Sequence, residues 1–349
     1  MEIYSWANVA WGNYDEGLKI MIITRTPYRV SFFGGGTDLP AWYKEHGGAV
    51  LTSTIDRYCY ICARAMPPYL GTKYRVFWSK METVNEIAEI QHPGVRACLQ
   101  YLGVDQGFEV NHCGDLPARS GLGSSSAFTV GMLHALYTLQ GYRQPKQALA
   151  GAAVHIEQEV LRETVGIQDQ IECAMGGLNL IRIDRSGDWE CVPVQLSPER
   201  LEALQGSLML FYTGLQRSAS EIQTDTVAAL QDQTLVMGLI RACVDTAVHI
   251  LSTGKIDEFG ELLHEAWLLK QRLSPRICPP EIFEVYEAAR HAGALGGKLL
   301  GAGGGGFLLF FCEPHNQDHL RAALSDLREL RFSFDPEGSK IVHVGSNLA

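Results

Sequence analysis

The sequence predicts an α+β protein of two halves, and three observations predict it. Strand-like runs rich in Ile, Val, Thr, Tyr and Phe mark the first part, at 21–33 and 49–65. Long helical patterns mark the second, at about 219–252, 256–272 and 280–292. The texture changes near Ser197-Pro198, which sets the expected boundary between an N-terminal unit, 21–197, and a C-terminal unit, 198–349. At 349 residues the chain is long enough for two cores.

Each element follows in order. Residues 1–20 carry Glu2, Asp15 and Glu16 with no long apolar core, so they do not read as a signal peptide. They are expected to be an extension outside the fold, either a disordered tail or the product of an early start codon. The strand from Met21 runs to a loop, Gly34-Gly35-Gly36-Thr37-Asp38-Leu39-Pro40. A short helix is expected at 93–102, a strand at 107–113 and a loop at 114–123. A helix from about Ser125 to Gln140 puts Phe128, Met132, Leu136 and Leu139 on one face, and Gly141 stops it. A second, from about Pro145 to Glu163, carries Leu149, Ala153, Ile156 and Val160. Paired strands follow at 177–183 and 189–195, then a strand at Leu208–Tyr212. After the helical stretch come a glycine run at 301–306, an apolar strand from Phe307 to Cys312, a helix at 315–328 and a last strand near 340–344.

Composition narrows the class. Hydrophobic residues at 46% and charged residues at 19% suit a packed globule. A net charge of −10 argues against a nucleic-acid partner, which wants a basic face. It leaves room for an anionic small molecule, because a few cations and backbone amides hold a phosphate. No apolar run approaches the roughly 20 residues a membrane span needs. Nine single cysteines do not read as a disulfide framework and suit a reducing cytoplasm. Cys59 and Cys62 lie three apart in an alternating run, so they point to opposite faces of a strand.

The strongest local signal is Pro117-Ala118-Arg119-Ser120-Gly121-Leu122-Gly123-Ser124-Ser125-Ser126-Ala127. Glycines let backbone approach a ligand closely. The serines fall on the first turn of the following helix, where unpaired N–H groups and the positive dipole end favour an anion. A hydroxyl there can also ligate Mg²⁺. A loop that merely caps a helix is the alternative, but one serine suffices for a cap. No Walker loop occurs. Residues 301–306 fit G-x-G-x-x-G but run into a strand rather than opening a helix, which excludes a dinucleotide fold. The glycine run instead marks a close approach to a ligand or to another segment.

Asp169 follows the second helix on an expected loop, and Glu157 sits on that helix twelve residues earlier. A loop carboxylate beside a phosphate site can orient or deprotonate a hydroxyl. A helix carboxylate can hold Mg²⁺, which prefers oxygen. Arg29 can stabilise a transferring phosphoryl group, or it forms a salt bridge with a structural acid. Asp38 can accept sugar hydroxyls, or it caps its turn.

Together these segments resemble the GHMP kinase superfamily. The motif P-x-x-x-G-L-x-S-S is matched at Pro117, Gly121, Leu122, Ser124 and Ser125, the glycine motif at Lys298 to Gly306, and the N-terminal motif at Arg25 to Asp38. The resemblance implies an N-terminal α/β domain like ribosomal S5 domain 2, a ferredoxin-like α+β C-terminal domain and a cleft between them. It implies ATP on Pro117, Gly121, Leu122, Gly123, Ser124, Ser125 and Ser126, and Mg²⁺ on Ser125 and Glu157. It also implies Asp169 and Arg29 as catalytic groups, with an acceptor near Gly35, Gly36, Thr37, Asp38, Gly303 and Gly304. Phe32 to Pro40 is most similar to bacterial heptose kinases, which phosphorylate D-glycero-D-manno-heptose 7-phosphate at the anomeric hydroxyl. Galactokinases carry Glu-His where this chain has Gly35-Gly36, and the lost side chains make room for a longer or phosphorylated sugar. Arg217, Lys270 and Arg276 are candidates for that phosphate, Arg217 first because it follows a strand end turning into a helix. A kinase for another sugar, such as fucose or a hexosamine, and a sugar sensor without catalysis are the competing readings. Oligomeric state is not legible.

Overall fold

β1 (Met21–Phe33) begins as an alternating strand and is buried on both faces from Thr26 onward. It pairs antiparallel with β2 (Gly48–Ala65), and the register slips between Pro27 and Tyr28 and again between Ser31 and Phe33. Pro27 has no N–H for the ladder, and a bulge is where a strand tolerates that loss. Bulges also re-aim side chains, and Arg29 lies between the two. This computed structural model describes residues 21–345 apart from 105, 216–223, 225–226 and 229–231.

The first sheet runs β12 (Lys340–Gly345), β1, β2, β5 (Phe108–Gly114), β3 (Tyr74–Phe77), β4 (Met81–Val84). β2 spans 18 residues and serves two partners. Its later part pairs with β5, and its earlier part with β6 (Leu178–Ile183), which carries β7 (Trp189–Pro193). α1 (Pro40–His46) turns the chain from β1 to β2, and α2 (Pro93–Tyr101) precedes β5. α3 (Ser124–Leu139) and α5 (Gln168–Met175) lie against β1 and β2, while α4 (Lys146–His155) packs on both helices. α4 runs on into a π-helical turn, Ile156–Val160.

The second sheet is antiparallel, in the order β11 (Arg328–Leu330), β8 (Leu208–Tyr212), β10 (Phe307–Phe311), β9 (Gly296–Leu299). Every residue of β10 is buried, as its unbroken apolar run requires. α6 (Pro198–Ser207), α7 (Thr234–Thr253), α8 (Ile256–Gln271), α9 (Pro280–His291) and α10 (Gln317–Ala323) complete this half. The chain then returns to the first sheet, where β12 pairs with β1.

Several expectations are corrected. Asp169 lies on the first turn of α5, not on a loop. The helix expected at 315–328 is a short 3₁₀ turn, then α10, then β11. α1, β3, β4 and β9 were not expected, and neither was α6, although Ser197 caps it and Pro198 opens it; β9 begins with two glycines, which strands disfavour. Most of the expected helical stretch before α7 lies outside the described residues. α7 itself, at 20 residues and mean hydropathy 1.6, has the length and composition of a membrane span, against the expectation that no such run exists. Its buried stripe, Met237, Ile240, Val244, Ala247 and Leu251, packs against α8 and the first sheet.

Candidate active site

α3 begins at Ser124, with Gly123 at its N-cap in the left-handed region (φ 75°) and no side chain capping the first amides. Those N–H groups therefore keep their capacity for an outside acceptor. The loop before them is locked from behind. A methyl group on Gly121 would lie 2.5 Å from the carbonyl oxygen of Leu300, and one on Gly306 would lie 2.4 Å from that of Ser120. The glycine run 301–306 thus makes a close approach to another segment, the loop before α3, while Gly301 and Ala302 also line the cleft in front of it.

In front of α3 opens a cleft of about 570 Å³ lined by Arg29, Gly35, Gly36, Asp38, Gly121, Gly123, Ser124, Ser125, Ser126, Glu157 and Asp169, among others. Arg29, buried between the β1 bulges, grips Asp169 with two bonds: Nε and Nη2 each donate to a carboxylate oxygen at 2.6 Å. Its Nη1 donates to the carbonyl of Gly121 at 2.7 Å, tying the pair to the loop before α3. A bidentate pair of this kind fixes orientation as well as charge. Asp169 stays 24% exposed, so it faces the cleft.

Glu157 is 1% exposed and sits in the π-helical turn. Ser126 Oγ donates to its Oε2 at 2.9 Å, and Gln170 Nε2 donates to the same oxygen. Its Oε1 is buried with no hydrogen-bond partner. Burial pushes this carboxyl up to about 7. An unpaired carboxylate oxygen beside serine hydroxyls at an open helix start fits a hard cation such as Mg²⁺. Among the described residues no cluster of three or more His, Cys, Asp or Glu is placed to hold a metal by itself. A cation here would therefore share oxygens with a bound phosphate. The serine that touches Glu157 is Ser126; Ser125, the residue the motif match pointed to, is exposed in the cleft beside it.

Asp38 caps its own turn: Oδ1 accepts from Gly36 N–H at 2.9 Å and Oδ2 from Gln168 N–H at 3.3 Å. It still lines the cleft, and burial first, then the Asp169 charge, raises its pKa. Lys270 donates to the carbonyl of Gly301 at 2.5 Å, and burial lowers its pKa to about 8. Sequence reasoning gave no site role to Lys298, the first residue of the matched glycine motif, which lines the cleft and donates to the Phe32 carbonyl at 2.8 Å. A lysine inside a buried strand was the available signal. It also gave no role to Gln168, Gln170 and Arg162, which line the cleft.

Other expected site residues stand elsewhere. Thr37 is fully buried, its hydroxyl donating to the carbonyls of Gly34 and Ala49 at 2.8 Å each. Leu122 is in the core, and Pro117 is not among the cleft residues. Gly303 and Gly304 pack on Ile277 instead: a methyl on Gly303 would meet its Cα at 2.8 Å, and Gly304 N–H donates to its carbonyl at 3.1 Å. Arg276 is exposed outside the cleft. Arg217 lies outside the described residues.

Comparison with known proteins agrees with this architecture. Residues 88–177 match the family model of the GHMP kinases N terminal domain, and residues 247–329 that of the GHMP kinases C terminal domain. The chain is 26% identical over 336 residues to D-glycero-alpha-D-manno-heptose 7-phosphate kinase of Campylobacter jejuni, covering 91% of this chain and 98% of that protein. It is 25% identical to a bifunctional fucokinase/GDP-fucose pyrophosphorylase of Arabidopsis thaliana over 87% of this chain, though that match spans only 31% of the plant protein. A crystal structure of a D-glycero-D-manno-heptose 1-phosphate kinase from Bacteriodes thetaiotaomicron superposes with a TM-score of 0.76 at 21% identity, covering 93% of this chain and all of that one, a likeness of fold.

Proposed function

We propose that this chain, which belongs to the GHMP kinases through their N-terminal and C-terminal domains, transfers the γ-phosphoryl group of ATP to the anomeric hydroxyl of a sugar phosphate, D-glycero-D-manno-heptose 7-phosphate. One observation carries the reading. A carboxylate, Asp169, is gripped by Arg29 at the edge of a cleft whose floor is an uncapped helix start.

Ser124 to Ser126 and their amides receive the nucleotide's phosphates. Magnesium, when bound, neutralises charge on those phosphates, and Glu157 with Ser126 or Ser125 would hold it. Asp169 accepts the hydrogen bond of the acceptor hydroxyl and takes its proton. The oxygen's lone pair forms a new bond to the γ-phosphorus as the bond from that phosphorus to the β-γ bridging oxygen breaks, and ADP leaves. Arg29, through its two hydrogen bonds, orients Asp169 towards the acceptor. Gly35 and Gly36 leave space at the acceptor end, and the 26% identity to a heptose 7-phosphate kinase over nearly the whole chain supports the choice of acceptor.

The test is a panel of sugars and sugar phosphates with ATP. Turnover on the heptose 7-phosphate, with fucose and hexosamines poor, is the expected result; turnover on free fucose but not on the heptose phosphate replaces it with the fucokinase reading. Asp169→Asn is expected to keep nucleotide affinity and lose about 10²–10⁴-fold in kcat, the usual worth of a positioned acid–base group. A near-normal kcat removes Asp169 from the mechanism.

A further inference from the structure

Five cations line the cleft, and three of them are engaged. Arg29 is held by Asp169 and Gly121, Lys298 by the Phe32 carbonyl and Lys270 by the carbonyls of Leu299 and Gly301. The other two, Arg119 and Arg162, are exposed and have no hydrogen-bond or ion-pair partner among the described residues. They are also the two described residues other than glycine with positive φ, 60° and 55°. A left-handed backbone favours Gly or Asn, so backbone geometry does not account for an arginine at either place.

The two belong to different arms of the site. Arg119 lies on the phosphate loop, two residues before Gly121. Arg162 ends the π-helical turn that carries Glu157: Leu161 N–H reaches the carbonyl of Ile156 and Glu163 N–H that of Glu157. The loop it opens packs on the acceptor arm. A methyl on Gly166 would overlap the Asp38 carboxylate at 1.8 Å, and Ile167 N–H donates to the Asp38 carbonyl at 3.2 Å. Asp38, Glu157, Glu163 and Asp169 also line the cleft. Arg29 pairs with Asp169, which leaves Asp38, Glu157 and Glu163 without an ion-pair partner among the described residues, so an acceptor that already carries a phosphate needs a local cation that is not otherwise engaged.

We propose that Arg162 is that cation: it binds the phosphate the acceptor brings and makes the enzyme prefer a phosphorylated sugar over the same sugar bare. This rests on the sugar-phosphate reading above.

The experiment compares wild type, Arg162→Asn and Arg162→Lys on D-glycero-D-manno-heptose 7-phosphate and on the unphosphorylated heptose, with ATP varied separately. Asn suits the left-handed backbone, and thermal denaturation checks that each variant is folded; Arg162→Gly replaces the Asn variant if that one is not. The ratio of kcat/KM for phosphorylated over bare heptose is expected to fall at least tenfold in Arg162→Asn. The loss should appear in the acceptor KM, with the ATP KM within twofold of wild type and partial recovery in Arg162→Lys. A raised ATP KM with an unchanged acceptor ratio overturns the proposal and moves Arg162 to the nucleotide. An unchanged ratio with unchanged ATP KM also overturns it. The wild-type enzyme judges the parent reading independently: if it uses the bare heptose as well as the 7-phosphate, that reading fails whatever the variants do.

Discussion

At the residue scale, Glu172 is a buried carboxyl that is not among the residues lining the cleft. Asn179 Nδ2 donates to both of its oxygens at 3.2 and 3.1 Å, yet burial pushes its pKa up to about 8. The unfolded chain loses this proton near pH 4, in the ordinary glutamate range. Between those values the folded state binds more protons than the unfolded one, so stability falls as pH rises. The contribution is fully present below about pH 4 and is lost by about pH 8. Glu172→Gln keeps the shape and an acceptor for Asn179 without the charge. Its Tm should exceed that of wild type by several degrees at pH 8, and the gap should close towards pH 5, in thermal melts across that range. A gap independent of pH would mean that Glu172 is charged in the folded protein. The residue types at Arg29, Glu157 and Asp169 were legible in the sequence. Their pairing was not, because Arg29 and Asp169 are 140 positions apart and meet only through the bulged strand and the start of α5.

At the element scale, the N-terminal end of α3 is a joint between two halves of the chain. Gly121 and Gly301 touch so closely that a methyl on Gly301 would lie 2.5 Å from the Gly121 Cα, and Gly301 holds a φ of 73°. Gly301→Ala therefore faces both a clash and a left-handed backbone. A loss of about 1–3 kcal/mol in denaturant unfolding is expected, the range for overpacking a closed contact. The displaced loop should raise the ATP KM severalfold while the acceptor KM changes less. An unchanged ATP KM would separate the glycine run from nucleotide binding. Both glycine segments were visible in the sequence, but their contact was not, since small residues mark close approach without naming the partner. The long strands β1 and β2 were legible because β-branched runs there agree with the final environment. α5 was hidden because its eight residues are too few for a helical period to stand out.

At the scale of the whole molecule, one face of the second sheet shares the core of the first, while its other face, with Phe211 and Phe310, packs a second cluster around Trp267. Phe259, from α8, meets Phe32 and Phe33 of β1 edge-on, with ring centroids 5.5 and 5.1 Å away, and meets Phe311 of β10 at 6.3 Å. Lys298 of β9 donates to the Phe32 carbonyl across the same boundary, and β12 crosses back to pair with β1. The change of texture near residue 198 was plain in the sequence. The return of the last strand was not, because strand order is set by contacts hundreds of positions apart that leave no local pattern. With a shared core, neither half can expose Phe259 without uncovering apolar surface on the other, so the chain should unfold in one transition. Phe259→Ala, which empties a fully buried aromatic site, is expected to cost about 3–5 kcal/mol. It should shift that single transition without splitting it, in calorimetry and in near-ultraviolet circular dichroism followed together. Two resolved transitions in the variant, one of them at the wild-type midpoint, would show that the halves hold themselves up separately and that the cleft between them is a contact rather than a common core.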